Sequence, residues 1–530
     1  MKSKHLLLCC IAAANGCFGQ NNASATIATN NISARFFSNG MVSFDGNKAN
    51  FSVPKDSNAH ALYAGSLWVG GFDNTYGVLH ISTMTYDDSL TNFRFGPIAN
   101  SYSGTYSQRY NKVWKVKQSD IDYHLLHYND VGYTAPTDIL DWPGNGNTGN
   151  GEPLLLAPFA DLNGNFLYEP NLGEYPLIKG DEALYIVYSD RANPNNVLYG
   201  NPLKVDVHLM VYAYEGFAAP HLRNSLFCHY NIVNRANDGY YNVLIGSWSD
   251  FSLGCFNDDH IGSDSALSTF YVYNGSFPDV DCQGVKGYQT TKATFGISFL
   301  NKDLHAFMWY MSSAGFPPHT QAYSPFQHYN FMNAIWGDGN HLTYGGSGYS
   351  GTTQHNYIFS GNPCAPSQWS EISNNIVAGD RRGLGSTGKF NLPKSGNLCF
   401  DLAYVFAEGN PQAACFADGV DSLKKRIQQV RSFYNFTAPA CYSFSTGTAE
   451  LHENDFHIYP NPAKNTLTVE LKDNVVCTLQ LFDVSGKEIM RAETRLQALT
   501  LNTANVNAGV YFLVIKSATG QFVRKVVIEK

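Results

Sequence analysis

Leu467-Thr468-Val469-Glu470-Leu471 stands near the end of the 530-residue chain and places an apolar side chain at every second position. The same alternation recurs at residues 477–481, and a short apolar run follows at 510–515. A period of two residues is typical of a β-strand with one buried face, and turn residues separate the runs. Residues 456–530 are therefore predicted to form an immunoglobulin-like antiparallel sandwich of about seven strands.

The preceding part of the chain, the body, has the same character. Runs rich in aromatic and β-branched residues, at 61–69, 183–188 and 205–214, are bounded by Gly, Asn and Pro, as strands are. Apolar and polar residues alternate in the third run, which predicts a half-buried strand. The one predicted helix spans residues 422–434, where apolar residues recur on one face. The predicted fold class is mainly β, with a multidomain β-sandwich body.

The length of the chain predicts several domains, because one hydrophobic core does not serve 530 residues. A basic start followed by the apolar residues 6–14 is typical of a signal peptide, and no later apolar run is long enough to span a bilayer. The predicted segments are a signal peptide at 1–19, an N-terminal β-rich domain with Asx/Gly-rich loops at 20–200, a β-sandwich region ending in the helix at 201–445, a linker at 446–455 and the C-terminal domain at 456–530.

Charge and cysteine content limit the kinds of partner and the cellular compartment that are expected. The formal net charge is −8 and no basic block is present, so nucleic acid is not an expected partner. Eight of the eleven cysteines follow the predicted leader and seven of these lie in the body, so at least one thiol there stays unpaired. Export to an oxidising space permits disulfides, and Cys399, Cys415 and Cys441 are close enough in sequence for one. No CxxC spacing suggests a zinc site.

A first candidate metal site is the loop from residue 161 to residue 174. Its oxygen donors occupy alternate positions, as in loops that wrap calcium. The predicted ligands are the side chains of Asp161, Asn163 and Asn165, the backbone carbonyl of Leu167, and Glu169 or Glu174. Phe166 stands where an EF-hand needs glycine, so the loop is not an EF-hand. The alternative interpretation is an Asn/Gly-rich turn that binds no metal.

A second candidate is the acidic stretch at residues 250–264. Four carboxylates, Asp250, Asp258, Asp259 and Asp264, lie within fifteen residues, and their mutual repulsion favours a bound cation such as calcium. The alternative is a catalytic carboxylate pair of an extracellular hydrolase acting on polysaccharide, although no nucleophile motif is present. The nearby histidines have no zinc-ligand spacing and are predicted to be exposed on strands; they are His208, His221, His229 and His260.

Motifs in the C-terminal domain identify a family. Tyr459-Pro460-Asn461-Pro462, residues 481–487 and Ala508-Gly509-Val510-Tyr511, followed by a basic last strand, resemble the type A C-terminal sorting domain of cargo proteins of the type IX secretion system of Gram-negative bacteria. This resemblance implies export through the periplasm, with the secretion machinery as the partner of residues 456–530. It also implies cleavage of that domain, followed by release or by anchoring to surface lipopolysaccharide.

The body has a resemblance of its own. Leu67-Trp68-Val69-Gly70-Gly71, residues 156–164, Gly173-Glu174-Tyr175-Pro176 and the 420–434 helix are similar to stretches of large uncharacterised secreted proteins that share the sorting domain. That family implies a common architecture and brings no established activity. The expected function is a secreted or cell-surface protein whose body is a calcium-stabilised binding, adhesion or structural module with a glycan or other surface ligand. The alternative is the polysaccharide hydrolase.

Overall fold

The computed structural model describes residues 22–46, 48–86, 93–191, 200–215, 219–311, 321–439, 441, 456–471, 477–483, 487–494, 498–517 and 521–530. Backbone contacts divide the chain into two units, residues 1–444 and 445–530, which correspond to the body and the C-terminal domain. Each unit is described by itself. The predicted signal peptide and linker lie outside the described residues.

Strands dominate the body, with a few helices between them. The strands are β1 (Ser24–Ile27), β2 (Ser33–Phe37), β3 (Phe51–Ser52), β4 (Leu62–Asp73), β5 (Leu79–Ser82), β6 (Arg94–Phe95), β7 (Trp114–Lys117), β8 (Glu182–Ser189), β9 (Val205–Ala213), β10 (Ser225–Asn234), β11 (Tyr240–Phe251), β12 (Asp259–Asp264), β13 (Thr269–Asn274), β14 (Ala293–Phe299), β15 (Ala306–Tyr310), β16 (Arg382–Leu392) and β17 (Asn397–Glu408). The helices are α1 (Gly104–Tyr110), α2 (Gln118–His127), α3 (Thr137–Leu140), α4 (Pro220–Arg223), α5 (Pro325–Phe331) and α6 (Gly419–Thr437).

Two antiparallel sheets form the centre of the body. The larger sheet has the order β12-β13-β14-β17-β10-β9-β8-β6, and β7 also pairs with β8. The smaller sheet has the order β15-β16-β11-β4-β5. A third sheet, β1-β2-β3, is joined to β4 through a bridge between Val42 and Gly65. The predicted mainly β fold is confirmed.

The two large sheets share one hydrophobic core. Alternate residues of β9, from Val205 to Val211, pack into a core that also contains Trp68 of β4 and Trp248 of β11. Burying each such aliphatic side chain contributes roughly 1.5–3 kcal/mol. The shared core therefore fixes the smaller sheet on the larger one.

The opposite face of the larger sheet is also covered. Met210 and Tyr212 of β9 belong to a second core, which includes Leu423 and Ile427 of α6. Every residue of β9 is consequently buried. The predicted half-buried strand is therefore wrong, because its alternation separates two cores rather than core and solvent.

Strands from both sides of residue 200 build these sheets. β8 pairs with β9 along its whole length, and β4 pairs with β11 in the smaller sheet. The boundary predicted between residues 200 and 201 thus has no counterpart in the structure, because ladder hydrogen bonds and both cores cross it.

Helix α6 confirms the one helix that the sequence predicts. It extends from Gly419 to Thr437, and its buried side chains recur every three or four residues. They are Val420, Leu423, Ile427, Val430 and Tyr434. This spacing places one face of the helix on the larger sheet.

Three disulfides link segments of the body, Cys255–Cys282, Cys364–Cys415 and Cys399–Cys441. The last confirms the expectation of a bridge among the three late cysteines. Cys228 is a buried free thiol, as the odd number of body cysteines requires.

The C-terminal domain contains two sheets around its own core. Its strands are β18 (Phe456–Tyr459), β19 (Thr466–Leu471), β20 (Cys477–Asp483), β21 (Glu488–Thr494), β22 (Ala498–Asn502), β23 (Gly509–Ser517) and β24 (Gln521–Ile528). The sheet orders are β18-β19-β22 and β21-β20-β23-β24, with antiparallel pairing throughout. Leu467, Val469 and Leu481 lie in the core between them. These described strands agree with the predicted seven-stranded antiparallel fold.

Among the residues that the structure describes, no helix is long and apolar enough to cross a membrane.

Candidate functional sites

The loop at 161–174 gathers the donors that the sequence predicts. Asp161 accepts hydrogen bonds from the backbone amides of Gly164, Asn165 and Phe166 at 2.7–3.2 Å. The side-chain oxygens of Asn163 and Asn165 accept from the amides two residues further on. These Asx turns fold the loop so that successive side-chain oxygens lie on its inner side.

Glu169 and Glu174 close the same loop. Both Asn163 and Asn165 donate side-chain hydrogen bonds to Glu169 Oε2, at 2.9 and 2.6 Å. Glu174 is fully buried and accepts from the amides of Leu162 and Glu169 at 3.0 and 2.7 Å. Burial raises the pKa of Glu174, and the negative charges of Asp161 and Glu169 raise it further. The negative charges of Asp161 and Glu169 therefore act on a Glu174 carboxylate that is out of water.

The carboxylates of the acidic stretch at 250–264 lie apart from one another in the structure. Asp250, at the end of β11, contacts Arg382 and Tyr86. Asp264 caps the short helical turn after β12 and forms an ion pair with Lys424 of α6 at 2.8 Å. Asp258 and Asp259 lie elsewhere, at the start of β12. The four carboxylates consequently do not form one ligand set, because the two ends of β12 lie beside different parts of the protein.

Asp258 and Asp259 instead meet two residues that the sequence analysis missed. Asn274 is the cross-strand partner of Asp259, and its side chain donates to Asp279 at 3.3 Å. One carboxylate oxygen of Asp258, one of Asp259 and the amide oxygen of Asn274 are buried without a hydrogen-bond partner among the described residues. We call these four residues the acid pocket.

The acid pocket is assembled by a disulfide and a glycine. Cys255–Cys282 ties the 275–290 loop to the end of β11. Gly254 has a φ of +69°, and a Cβ there would lie 2.0 Å from Asp279 Oδ2, so only glycine allows this approach. Two cysteines flanking an Asp-rich segment were the only sequence signal for this arrangement.

Burial governs the charge state of the acid pocket. It raises the pKa of Asp259 well above its usual range, with Asp258 and Asp279 adding to the rise and Arg381 opposing it. Burial also raises the pKa of Asp279 to about 6. Within the described ranges, no group of three or more His, Cys, Asp and Glu side chains is arranged to hold a metal ion. Calcium therefore stays a prediction at both acidic sites.

The body contains a cleft of about 770 Å³. Its walls come from the β1–β3 sheet, the loop after β11, the 284–286 segment and the start of β16. It is lined by Thr26, Ser33, Arg35, Lys48, Ala49, Asn50, Ser52, Asn58, His60, Tyr63, Asp250, Phe251, Ser252, Phe256, Gly284, Val285, Lys286, Asp380 and Arg382. Hydroxyl, amide and charged groups thus share the surface that a ligand meets with apolar groups.

Arg382 organises one end of this cleft. Its guanidinium donates to Asp380 at 2.9 Å and to Asp250 at 3.3 Å, while Tyr86 donates to Asp250 at 2.6 Å. Burial raises the pKa of Asp250 to about 7, against the opposing charge of Arg382. Two carboxylates therefore share one arginine in the cleft wall.

The histidines differ from the sequence expectation. His208, His229 and His260 are buried, and only His221 keeps partial exposure. His260 contacts Glu371 at 2.9 Å, and His229 contacts Asp401 at 2.5 Å. The prediction of exposed strand histidines is wrong for these three, because both faces of the larger sheet are covered.

The acid pocket predicts a pH-dependent effect of Asp259→Asn. A carboxyl whose pKa is higher in the folded than in the unfolded state contributes full stability below its unfolded pKa of about 4, and loses that contribution as pH rises toward the folded value. The amide mimics the protonated acid. We expect the variant to match the wild type at pH 4 and to be more stable by about 1 kcal/mol at pH 8, measured by urea unfolding.

Asp56→Asn, at an exposed position, is the matched control and leaves both values unchanged. A destabilised Asp259→Asn at pH 8, with the loss abolished by a chelator, would contradict the protonated acid and identify Asp259 as a metal ligand.

Comparisons with known proteins bear on the C-terminal domain. Residues 457–529 match the family described as secretion system C-terminal sorting domain. No curated protein matches the chain. Among solved structures, a polysaccharide lyase is 9% identical with a TM-score of 0.21, and the match covers 67% of this chain and 37% of the lyase. The chain thus corresponds to little more than a third of that protein.

A second solved structure is PorZ of Porphyromonas gingivalis, described as an essential bacterial surface component of the type-IX secretion system. It is 10% identical with a TM-score of 0.14, over 96% of this chain and 75% of PorZ. Neither score is high enough to establish a shared fold. The sorting-domain match coincides with the seven described strands after residue 455. The protein is a type IX secretion cargo with a C-terminal sorting domain, and hence a secreted or outer-surface protein.

Proposed function

We propose that the body is a surface binding protein and that its 770 Å³ cleft receives a glycan. The polar side chains in the lining of the cleft carry this proposal, because sugar hydroxyls are recognised by convergent hydroxyl, amide and charged groups. Ser33, Asn50 and Asn58 supply such groups on one wall. Tyr63 offers an aromatic ring on which a sugar can stack.

The charges of the cleft favour an acidic glycan. Arg35, Lys48, Lys286 and Arg382 line it, against the carboxylates Asp250 and Asp380. Arg382 is committed to the two carboxylates, Arg35 pairs with Asp45 at 3.6 Å and Lys286 pairs with Asp281. Lys48 is the basic side chain of the lining for which no ion pair is found among the described residues. Once the sorting domain is removed, the body is then released or anchored to surface lipopolysaccharide.

Calcium at the 161–174 loop stabilises the body in this proposal. Asp161, Asn163, Asn165, the Leu167 carbonyl and Glu174 are the hard oxygen donors that calcium prefers. The support for this assignment is the buried Glu174 carboxylate, whose charged neighbours are the carboxylates of Asp161 and Glu169. A divalent cation offsets that repulsion.

Polysaccharide hydrolysis is the second candidate. It is favoured by Asp250, a buried carboxyl with a pKa of about 7 at the cleft wall, near Asp380 across the Arg382 guanidinium. A general acid with a raised pKa and a second carboxylate are the groups that glycoside hydrolysis requires. Glycan binding is preferred to hydrolysis as the proposed function, because both carboxylates are already engaged in ion pairs with Arg382.

One experiment separates the two candidates. We expect the full chain to bind acidic oligosaccharides on a glycan array and to release no reducing ends. Tyr63→Ala should weaken binding about tenfold through loss of the stacking ring, whereas Tyr76→Ala, at a site 83% exposed and outside the cleft, should not. Reducing ends released by the wild type and lost in Asp250→Asn would favour the hydrolase. No binding to any glycan would contradict both.

Calcium is tested by thermal unfolding of the full chain with calcium and with chelator. A ligand bound only to the folded state adds about 4 kcal/mol at a thousandfold excess over Kd, so we expect the midpoint to rise on the order of 5 °C. Glu174→Gln should remove the rise, while Glu215→Gln, an exposed residue with the same charge change, should keep it. An unchanged wild-type midpoint would rule out the proposed ion.

A further inference from the structure

A second cavity lies against the face of the larger sheet that also receives α6. Its volume is about 190 Å³, and Lys179, His208 and His229 line it together with apolar side chains such as Met210. Drug-sized ligands occupy roughly 300–1,000 Å³. This cavity therefore accepts a small molecule or the end group of a larger one.

The sheet register fixes one polar side of the cavity. Met210 of β9 is the cross-strand partner of His229 of β10, which in turn is paired with Asp401 of β17. Asp401 accepts from His229 Nδ1 at 2.5 Å and from the hydroxyl of Tyr434. Both carboxylate oxygens accept a hydrogen bond, so Asp401 fixes the orientation of the His229 imidazole.

Lys179 supplies a cation from the segment before β8. Burial lowers the pKa of Lys179, and no carboxylate in the part of the chain described forms an ion pair with it. A mostly desolvated ammonium group without a counter-ion is costly. An anion in the cavity would relieve this cost.

His208 adds no positive charge to the cavity. Burial lowers the pKa of His208 to about 3, so this imidazole is neutral, and Tyr185 lies 3.3 Å from its Nδ1. The ammonium group of Lys179 is therefore the cationic group of the lining, and it matches an anionic oxygen of a ligand.

We propose that this cavity binds a small carboxylate, with Lys179 and His229 contacting its oxygens. Leu177, Ile178 and Met210 form the apolar wall that receives the carbon skeleton. A free carboxylate and the terminal uronate of a polysaccharide share this chemistry. The site is separate from the large cleft and does not depend on the function proposed for it.

Isothermal titration calorimetry of the full chain at pH 6 tests the proposal with sodium acetate, sodium glucuronate and glucose. We expect at least one carboxylate to bind and glucose not to bind. Binding of acetate alone identifies a free carboxylate as the ligand, and binding of glucuronate identifies a uronate end group.

Variants locate the site. Lys179→Met and His229→Gln should each weaken binding at least tenfold, with circular dichroism confirming the fold. Lys425→Met removes an exposed lysine from α6 and should bind as the wild type does. No carboxylate binding, equal binding of glucose, or unchanged affinity in Lys179→Met would overturn the proposal.

Discussion

Burial of both faces of the larger sheet is the constraint on which the rest of the body depends. One face of β9 packs toward the smaller sheet and the other toward α6, so the strand has no solvent-exposed side. Any polar side chain on these strands must then find a partner inside the protein. Asp206, for example, is fully buried and pairs with Arg235 at 3.0 Å. The partnered polar groups of the covered face, together with the loops at the sheet edges, provide all the candidate sites.

The sequence predicted the features that depend on local pattern. The strands of the C-terminal domain and helix α6 arise from residues close together in the chain. Their periodicity or spacing is therefore visible without a structure. The sorting-domain motifs belong to the same class, and the family match over residues 457–529 confirms them.

Features built from distant segments were not predictable. The alternation of residue types in β9 shows that the two faces of the strand differ. It does not show whether the second face contacts solvent or another core. The acid pocket joins Asp259 to Asp279 through a disulfide, and the cleft joins Asp250 to Arg382, which is 132 residues away. The same coverage buries His229 beside Asp401, 172 residues later. Sequence reasoning placed these histidines in solvent because the predicted helix did not show which sheet face it would cover.

The function follows from this architecture in two parts. The C-terminal domain is the export signal, with its own core and its own strands. The body carries three disulfides, which suit a protein that works outside the cell. Its polar cleft, its acidic loop and its small cationic cavity all lie on one framework of sheets, and none of them needs a second domain within the body.

Native-state hydrogen exchange tests this single framework most directly. If the two cores unite the body, the central amides of β4 and β8 should exchange with the same opening free energy as those of β9, β10 and β17. They should also lose protection together as denaturant is added. Amides before residue 200 that open at clearly lower denaturant than those after it would contradict the account and restore two independent domains.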